Sequence, residues 1–592
     1  MKLLIPYLRP YWARILIGIF TIAVTTVVTL AQPYFLKDGI NAIIAHFSHK
    51  GPHRPSLSPL AGYVLFFVVA AAVQSLFSFF QRSTINRVSR YMEYDLRESL
   101  FRHLQSLDQR FYNEMHTGDL MARLTNDLNA VRQFIGMGVI SLIQTIFLLV
   151  GVVIAMALIS PLLTIISMVL MPVMSVAMVL IGRRMQSRYR AVQDQYGALS
   201  TFAQESFSGI RVLKAFVQEE LEGKAFARQN DEYLGRSMKY VQLSGLLWPL
   251  MFLVVGLTAA LILFFGGEEV VHHQIKTLGE LVQFNANLSL LTWPLIALGW
   301  TMNMYQQAAA SMQRISEIMN RKPLIRDSGH TMPIHDIRGE VEFRNVSVSY
   351  GDQQVLHDVS FSVPLGSTMA IVGRTGSGKS TLVNLIPRIM EADEGQVLID
   401  GNDVRRIPIE VLRKSVGYAS QDTFLFSTSL RENVGFGVPD MATEALDHAV
   451  DVSRLSKDLE QFPDGLETII GERGVSLSGG QKQRTSLARA VARDPEILIL
   501  DDAMSSVDTQ TQSEILFRIK QVMKDRTSII ISQRVTTVKD AEDIIVLDEG
   551  RVIEHGSHMD LLNSDGAYAH MYRRELLQQE LEADEQIEEA VT

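Results

Sequence analysis

A chain of 592 residues is too long for one hydrophobic core and divides into two or three domains. Its hydrophobic share of 47% is high for a water-soluble protein, and most of the excess lies in the first half. A net charge of -9, with no basic stripe carrying interleaved aromatics, excludes nucleic acid as the main partner; the absence of cysteine excludes disulfides, thiolate metal sites and cysteine nucleophiles.

Met1 to Trp12 reads as a short amphipathic helix on a membrane surface, with no cleavable signal or transit peptide ahead of it. Crossing a bilayer takes about 20 mostly apolar residues, since ~30 Å of hydrocarbon is covered at ~1.5 Å per residue. Six stretches qualify: Ile15–Leu36, Ala61–Phe80, Gly138–Ile159, Leu162–Ile181, Leu243–Phe265 and Leu278–Met302. Six such runs in one half are too many for buried helices of a soluble core. Ser160-Pro161 reads as a tight turn between the third and fourth.

Arginine and lysine sort the connections. Arg82, Arg87, Arg90, Arg97, Arg102, Arg110, Arg123 and Arg132 lie between the second and third spans, and Arg183, Arg184, Arg188, Arg190, Lys214, Lys224 and Arg228 between the fourth and fifth. These long connections are expected in the cytoplasm, and an even span count puts both termini there. Structureless loops of that length are implausible, so the membrane helices are expected to extend outward and turn back through a short helix near each midpoint. The sixth span carries Gln283, Asn285, Asn287, Trp293, Trp300 and Asn303; with Met168, Met171, Met174, Met178 and Met251 it offers walls for a bulky amphipathic ligand. For any one of these residues, ordinary helix packing competes with that role. His272-His273 reads as a solvated outer loop rather than a metal site.

A polar linker, Asn320 to Arg338, leads to alternating short strands and helices from Val341, the signature of an α/β domain. Gly373, Arg374, Thr375, Gly376, Ser377, Gly378, Lys379, Ser380 and Thr381 contain the pattern G-x-x-x-x-G-K-[ST], between a strand at Thr368–Val372 and a helix at Ser380–Ile386. Glycines let backbone N–H groups wrap phosphates; Lys379 reaches the β- and γ-phosphates, and Ser380 is a ligand for Mg2+. Ile497–Asp501 is an apolar buried strand that delivers the carboxylate of Asp501 to the same ion. The chain closes on an acidic stretch after Arg573, including Glu575 and Glu580, expected to be a fraying helix or disordered.

Leu477-Ser478-Gly479-Gly480-Gln481 follows the phosphate loop by about a hundred residues. With that signature the chain resembles the ABC transporters, and over nearly its whole length the half-transporters of the bacterial multidrug-export type. Residues 111–127 and 205–216 are similar to the first and second intracellular loops of those exporters, which implies a coupling role. The resemblance implies an all-α six-helix transmembrane domain over residues 1–319, a linker over 320–340, an α/β P-loop ATPase domain over 341–577 and an acidic tail over 578–592. It implies ATP and Mg2+ as cofactors, with Tyr350 stacking on adenine and Gln421 touching Mg2+ and the membrane domain. Ser478, Gly479, Gly480 and Gln481 would clamp a γ-phosphate held by a second subunit.

Two positions depart from the family pattern. Asp502 stands where a catalytic glutamate is usual, and Gln533 where a switch histidine is usual. Asp502 keeps the charge one methylene short; Gln533 hydrogen-bonds but carries no charge. Together they resemble the degenerate-site subunit of a heterodimeric exporter, which implies a different partner chain with glutamate and histidine at these places. The expected function is ATP-driven export of amphipathic compounds across the plasma membrane. The alternatives are a lipid or lipid-A flippase, an importer with the exporter fold, and a non-transporting ATP sensor. No peptidase domain is expected ahead of the first span.

Overall fold

The computed structural model describes residues 2–48, 58–272, 275–327, 331–471 and 477–591, without side chains at 48, 58–59, 170–179, 248, 251, 255, 295, 579–580 and 582–591. Met171, Met174, Met178, Met251, Glu580 and His273 therefore lie outside the described residues or side chains. The chain forms two compact units: Met1–Gln105 with Gly118–Asn320, and Ser106–Thr117 with Arg321–Thr592.

The first unit is helical. Three short turns, Lys2–Leu4, Ile5–Leu8 and Arg9–Tyr11, run into the helix Trp12–Ser48. The next passages are Ser58–Ser106; residues 117–157, ending in Val139–Ala157; Pro161–Ser208; Glu219–Gly245 with Leu247–Val271; and Leu278–Met319. A helix of 49 residues is about 74 Å long, more than twice the hydrocarbon thickness, so Ser58–Ser106 extends far beyond its apolar run. Among the described residues, five helical stretches are long and apolar enough to cross a membrane; the side chains at 170–179 of the remaining passage lie outside them.

Local chemistry sets the breaks. Ser160 Oγ accepts the N–H of Leu163 at 3.1 Å and Pro161 opens the following helix, where its missing N–H costs nothing. Two π-helical turns, Arg123–Asp127 and Phe134–Gly138, interrupt the third passage. Asp127 is buried there. Its carboxylate accepts Arg314 Nε at 2.9 Å, Arg314 Nη2 and Ser311 Oγ at 2.8 Å, fastening the third passage to the sixth. The most apolar window of the sixth passage is 47% buried against 6% for the second. Leu278–Met319 is thus an inner helix, packed through Phe284, Leu288 and Leu291 against Leu148, Val152 and Ile262.

The second unit contains two sheets. One is antiparallel, in the order β2 (Gln353–Val363), β1 (Val341–Tyr350), β4 (Glu394–Ile399), β5 (Asn402–Asp403). The other has the order β10 (Arg551–Gly556), β9 (Asp543–Asp548), β3 (Thr368–Val372), β8 (Thr527–Ile531), β7 (Ile497–Asp501), β6 (Val416–Ala419). From β9 to β6 this sheet is parallel. Parallel strands covered on both faces read as continuous Ile/Val/Leu runs, which is why β7 and β8 are buried at every residue. Asp400 fixes the chain leading into β1 by accepting the N–H groups of Arg338, Gly339 and Glu340 at 2.6, 3.0 and 2.9 Å. The short helix Gln109–Glu114 belongs to this unit: Arg110 pairs with Asp393 at 3.0 Å, and Asp108 caps the helix while accepting Leu324 N at 3.4 Å. The other connection turns at Ile210–Ala215.

Candidate nucleotide site and transport path

Ligands of open α/β sheets collect at the carboxyl ends of the parallel strands. Three neighbouring strands end together here: β3 runs into the glycine loop, β7 ends on Asp501, and β8 runs into Ser532-Gln533. Gly378 has φ +97° as the residue before the helix Lys379–Asn384. A Cβ on Gly373 would lie 2.1 Å from the Leu547 carbonyl oxygen, so a side chain there would displace β9. Lys379 is 7% exposed; its Nζ donates to the carbonyls of Gly373 and Arg374 at 3.0 and 2.7 Å and to Ser377 Oγ at 3.4 Å. Burial holds its ammonium below the usual lysine range, opposed by Asp502 and Asp501.

Asp501 is nearly inaccessible. Tyr418 Oη donates to its Oδ2 at 3.3 Å, while Oδ1 is buried with no hydrogen-bond partner among the described residues. Burial raises its pKa, with the Ser380 and Tyr418 hydroxyls working the other way. An unpaired buried carboxylate oxygen is costly. An all-oxygen pair, the Ser380 hydroxyl and Asp501 Oδ1, suits a hard divalent ion, so the residues present fit Mg2+. Gln421 is exposed in the loop after β6, and Thr381 follows Ser380 in the helix. Tyr350 closes β1, half exposed, with its hydroxyl 3.1 Å from Met390 Sδ.

Asp502 has a left-handed backbone (φ +47°), its N–H donating to the Ile531 carbonyl at 3.0 Å. Burial raises its pKa, opposed by the backbone N–H of Gln533, Lys379 and Arg534. Gln533 is exposed, and Thr375 Oγ1 donates to its Oε1 at 3.5 Å. Ser478 caps the helix Gly479–Ala492 in a capping box: its Oγ accepts Gln481 N at 3.2 Å, and Gln481 Oε1 accepts Ser478 N at 2.9 Å. Gln483 binds Ser505 Oγ at 2.9 Å and accepts Ser506 N at 2.8 Å, tying this helix to the loop after Asp502. The first residues of the signature helix are not brought to Lys379: they project from a separate helix, and no hydrogen bond joins the two groups among the described residues.

Glu575 is a residue that the sequence assigned to a fraying or disordered acidic stretch. It lies in the helix Ala567–Val591, and its carboxylate accepts Val535 N at 2.6 Å, Thr536 N at 3.2 Å and Thr536 Oγ1. These donors open the short helix directly after Gln533, whose own N-cap, Arg534, offers no side-chain acceptor. Forty residues separate Glu575 from Val535, so no local pattern marks the pair. Met571, Arg574 and Glu575 also wall a cavity of about 880 Å³ that reaches Gly373, Asp502 and Gln533. Glu575→Ala should speed amide exchange at Val535 and Thr536 by about tenfold or more, followed by hydrogen exchange of a peptide covering 532–540; Glu575→Gln, which keeps one acceptor oxygen, should stay within about threefold of the parent.

In the sixth passage, Gln283 and Asn287 are buried, and neither amide nitrogen has a partner among the described residues. Asn285 and Asn303 are exposed, as are Trp293 and Trp300; Met168 is half-buried. His272 is exposed, and no cluster of metal-ligating side chains occurs among the described residues.

The comparisons agree with this geometry. The model described as "ABC transporter transmembrane region" matches residues 15–295, and that described as "ABC transporter" matches 356–505. The chain is 35% identical to the probable multidrug resistance ABC transporter ATP-binding/permease protein YheI of Bacillus subtilis, over 96% of this chain and 97% of that protein. It is 32% identical to the ATP-dependent lipid A-core flippase of Syntrophus aciditrophicus, over 97% and 94%, and 32% identical to the multidrug resistance-like ATP-binding protein MdlA of Escherichia coli, over 99% and 98%. A solved structure of a bacterial Atm1-family ABC exporter with ATP bound superposes with a TM-score of 0.79 at 29% identity, covering 96% of this chain and 98% of that one.

Proposed function

Because the chain belongs to the ABC transporter family, with the helical transmembrane region preceding the ATPase domain, we propose that it is one subunit of an ATP-driven exporter of amphipathic compounds in the plasma membrane. The observation that carries this is the meeting of Lys379, Ser380 and Asp501, with its unpaired Oδ1, in a chain that also holds the membrane helices. Lys379 would pass its hydrogen bonds from the loop carbonyls to phosphate oxygens. Mg2+, held by Ser380, Asp501 and Gln421, would neutralise charge on the phosphates. The glycine loop positions the nucleotide, Tyr350 offers a face to adenine, and Asp502 and Gln533 face the place of the leaving phosphate. Arg110 and Asp393 link the first connection to the ATPase fold, a direct route for coupling.

Two features support a second subunit. Among the described residues, no hydrogen bond joins Ser478, Gly479, Gly480 or Gln481 to the phosphate loop. The tip of the second connection also exposes Phe207, Val212, Phe216 and Val217, an apolar surface that calls for cover. The pairing of Asp502 with Gln533 favours a different partner chain that carries the competent site, to which this chain would lend Ser478.

Inside-out vesicles should accumulate a fluorescent amphiphile on addition of Mg·ATP, and should lose this when Lys379→Met is combined with the same change at the phosphate-loop lysine of the partner. Absence of ATP-dependent accumulation for every amphiphile tried, whatever its charge, refutes the reading. The likeness to lipid A-core flippases favours lipid as a second cargo class, read in the same vesicles as ATP-dependent movement of a labelled lipid between leaflets.

A further inference from the structure

Two cavities of the helical unit meet on one face of the helix Ser58–Ser106. Arg82, Asn86 and Arg90 follow one another at four-residue spacing, so their side chains share a face. The first cavity, about 370 Å³, is lined by Gln81, Arg82, Ser141, Gln144, Trp293 and Trp300. The second is an open hollow on the surface of this helix alone, lined by Phe79, Arg82, Arg87, Arg90 and Tyr91. Arg82 and Asn86 line both. The volume of the first falls in the range of small-molecule sites, roughly 300–1,000 Å³.

The charges are one-sided. Among the described residues, no aspartate or glutamate lines either one. Arg90 is answered by Glu93 at 3.2 Å, and Tyr91 is covered by Tyr11, stacked at 5.6 Å, and by Arg14, 5.4 Å from its ring centre. Arg82 and Arg87 have no ion pair or hydrogen bond among the described residues. Arg82 and Arg87 are exposed just past the apolar run Ala61–Phe80, so both guanidiniums are open to a ligand. A guanidinium matches the planar, two-oxygen edge of a carboxylate or phosphate, while the exposed faces of Trp293 and Trp300 and the side chains of Met137, Ile140 and Leu148 accept an apolar body.

Resting on the export reading above, we infer that the joined cavities select an amphiphile with an anionic carboxylate or phosphate head, held by Arg82 and Arg87, with its apolar body against Trp293 and Trp300. A cationic or neutral amphiphile meets two unanswered positive charges and is rejected. The head is carried either by a free single-chain compound or by a membrane lipid.

The test is binding to the full chain in nanodiscs, read as energy transfer from tryptophan to a dansyl acceptor. Dansyl-undecanoate is compared with a dansyl-undecyl trimethylammonium of the same length, and dansyl-labelled phosphatidic acid in the nanodisc supplies the lipid arm. The anionic probe should bind about tenfold or more tightly than the cationic one. Arg82→Gln should weaken anion binding by about tenfold, Arg82→Lys should retain most of it, and Arg82→Glu should reverse the preference. Binding of the phosphatidic acid but not of the free carboxylate supports the same head chemistry with a lipid source. Equal affinity for the two charges, or anion binding unmoved by Arg82→Gln and Arg87→Gln together, overturns the inference. Should Arg82→Gln not fold, the comparison of the two probes on the unmodified chain and on Arg82→Lys decides. Failure here, with ATP-dependent accumulation of a cationic amphiphile intact, leaves the export reading standing.

Discussion

Replacing Asp502 by glutamate and Gln533 by histidine is expected to raise Mg·ATP turnover of the purified chain by about 10²-fold. The present pair explains the direction. Asp502 sits on a left-handed backbone directly after β7, with a carboxylate one methylene shorter than that of glutamate. One more methylene would carry a glutamate carboxylate about 1 Å further, and about 1 Å of misplacement costs roughly this factor in rate. Gln533 bonds Thr375 as a neutral amide, while a histidine there would bring a group able to carry positive charge to the phosphate side. The measurement is phosphate release from protein in nanodiscs, beside each single change. Brisk turnover by the unmodified chain, unaltered by the double change, would sink the degenerate-site reading.

Ser478→Asp should abolish turnover of the assembled two-subunit transporter, by about 10²-fold or more, while Lys379→Met in the same chain should cost less than about tenfold. Aspartate is as good an N-cap as serine, so the capping box with Gln481 and the helix behind it should survive. What changes is charge: a carboxylate would face the γ-phosphate held by the partner, where a hydroxyl belongs. Lys379→Met empties only this chain's own site, which the first prediction describes as slow. Losses of equal size for the two substitutions would instead describe two equivalent sites in a homodimer. An unchanged thermal midpoint for Ser478→Asp separates lost catalysis from lost folding.

How much was legible varies with the range of the interaction. The strands at 368–372 and 497–501 appear where the apolar runs place them, because a parallel strand buried on both faces is apolar nearly throughout. The helix beginning at Lys379 starts one residue before the sequence-based boundary, with Gly378 as its N-cap. The membrane spans were legible only in their apolar portions. Ala61–Phe80 is less than half of Ser58–Ser106, since the polar extension buries little and leaves no periodic signature beyond its arginines. Short helices near the middle of both long connections, at 109–114 and 210–215, follow the expectation.

Other features have no local trace. Asp127 reads as one more acidic residue in a charged connection until Arg314, 187 residues away, folds over it. Glu575 belongs to an acidic stretch that composition alone assigns to solvent, yet it holds the turn behind Gln533. Arg82 is one of eight arginines in the first long connection, and nothing in its neighbours separates it from Arg97, which Glu93 binds at 2.6 Å.

By itself the sequence determined the family, the order of its two halves, the phosphate-loop pattern, the carboxylate that ends the strand at Asp501 and the departures at Asp502 and Gln533, because each rests on residues close together in the chain whose chemistry needs a fixed spacing. Only the tertiary structure decided that Asp501 Oδ1 has no partner among the described residues, that Glu575 caps the short helix after Gln533, and that Arg82, without a counter-ion among the described residues, lines one cavity with Trp293 and Trp300. Those outcomes depend on which side chains from distant segments meet, and on which charges are answered where they meet.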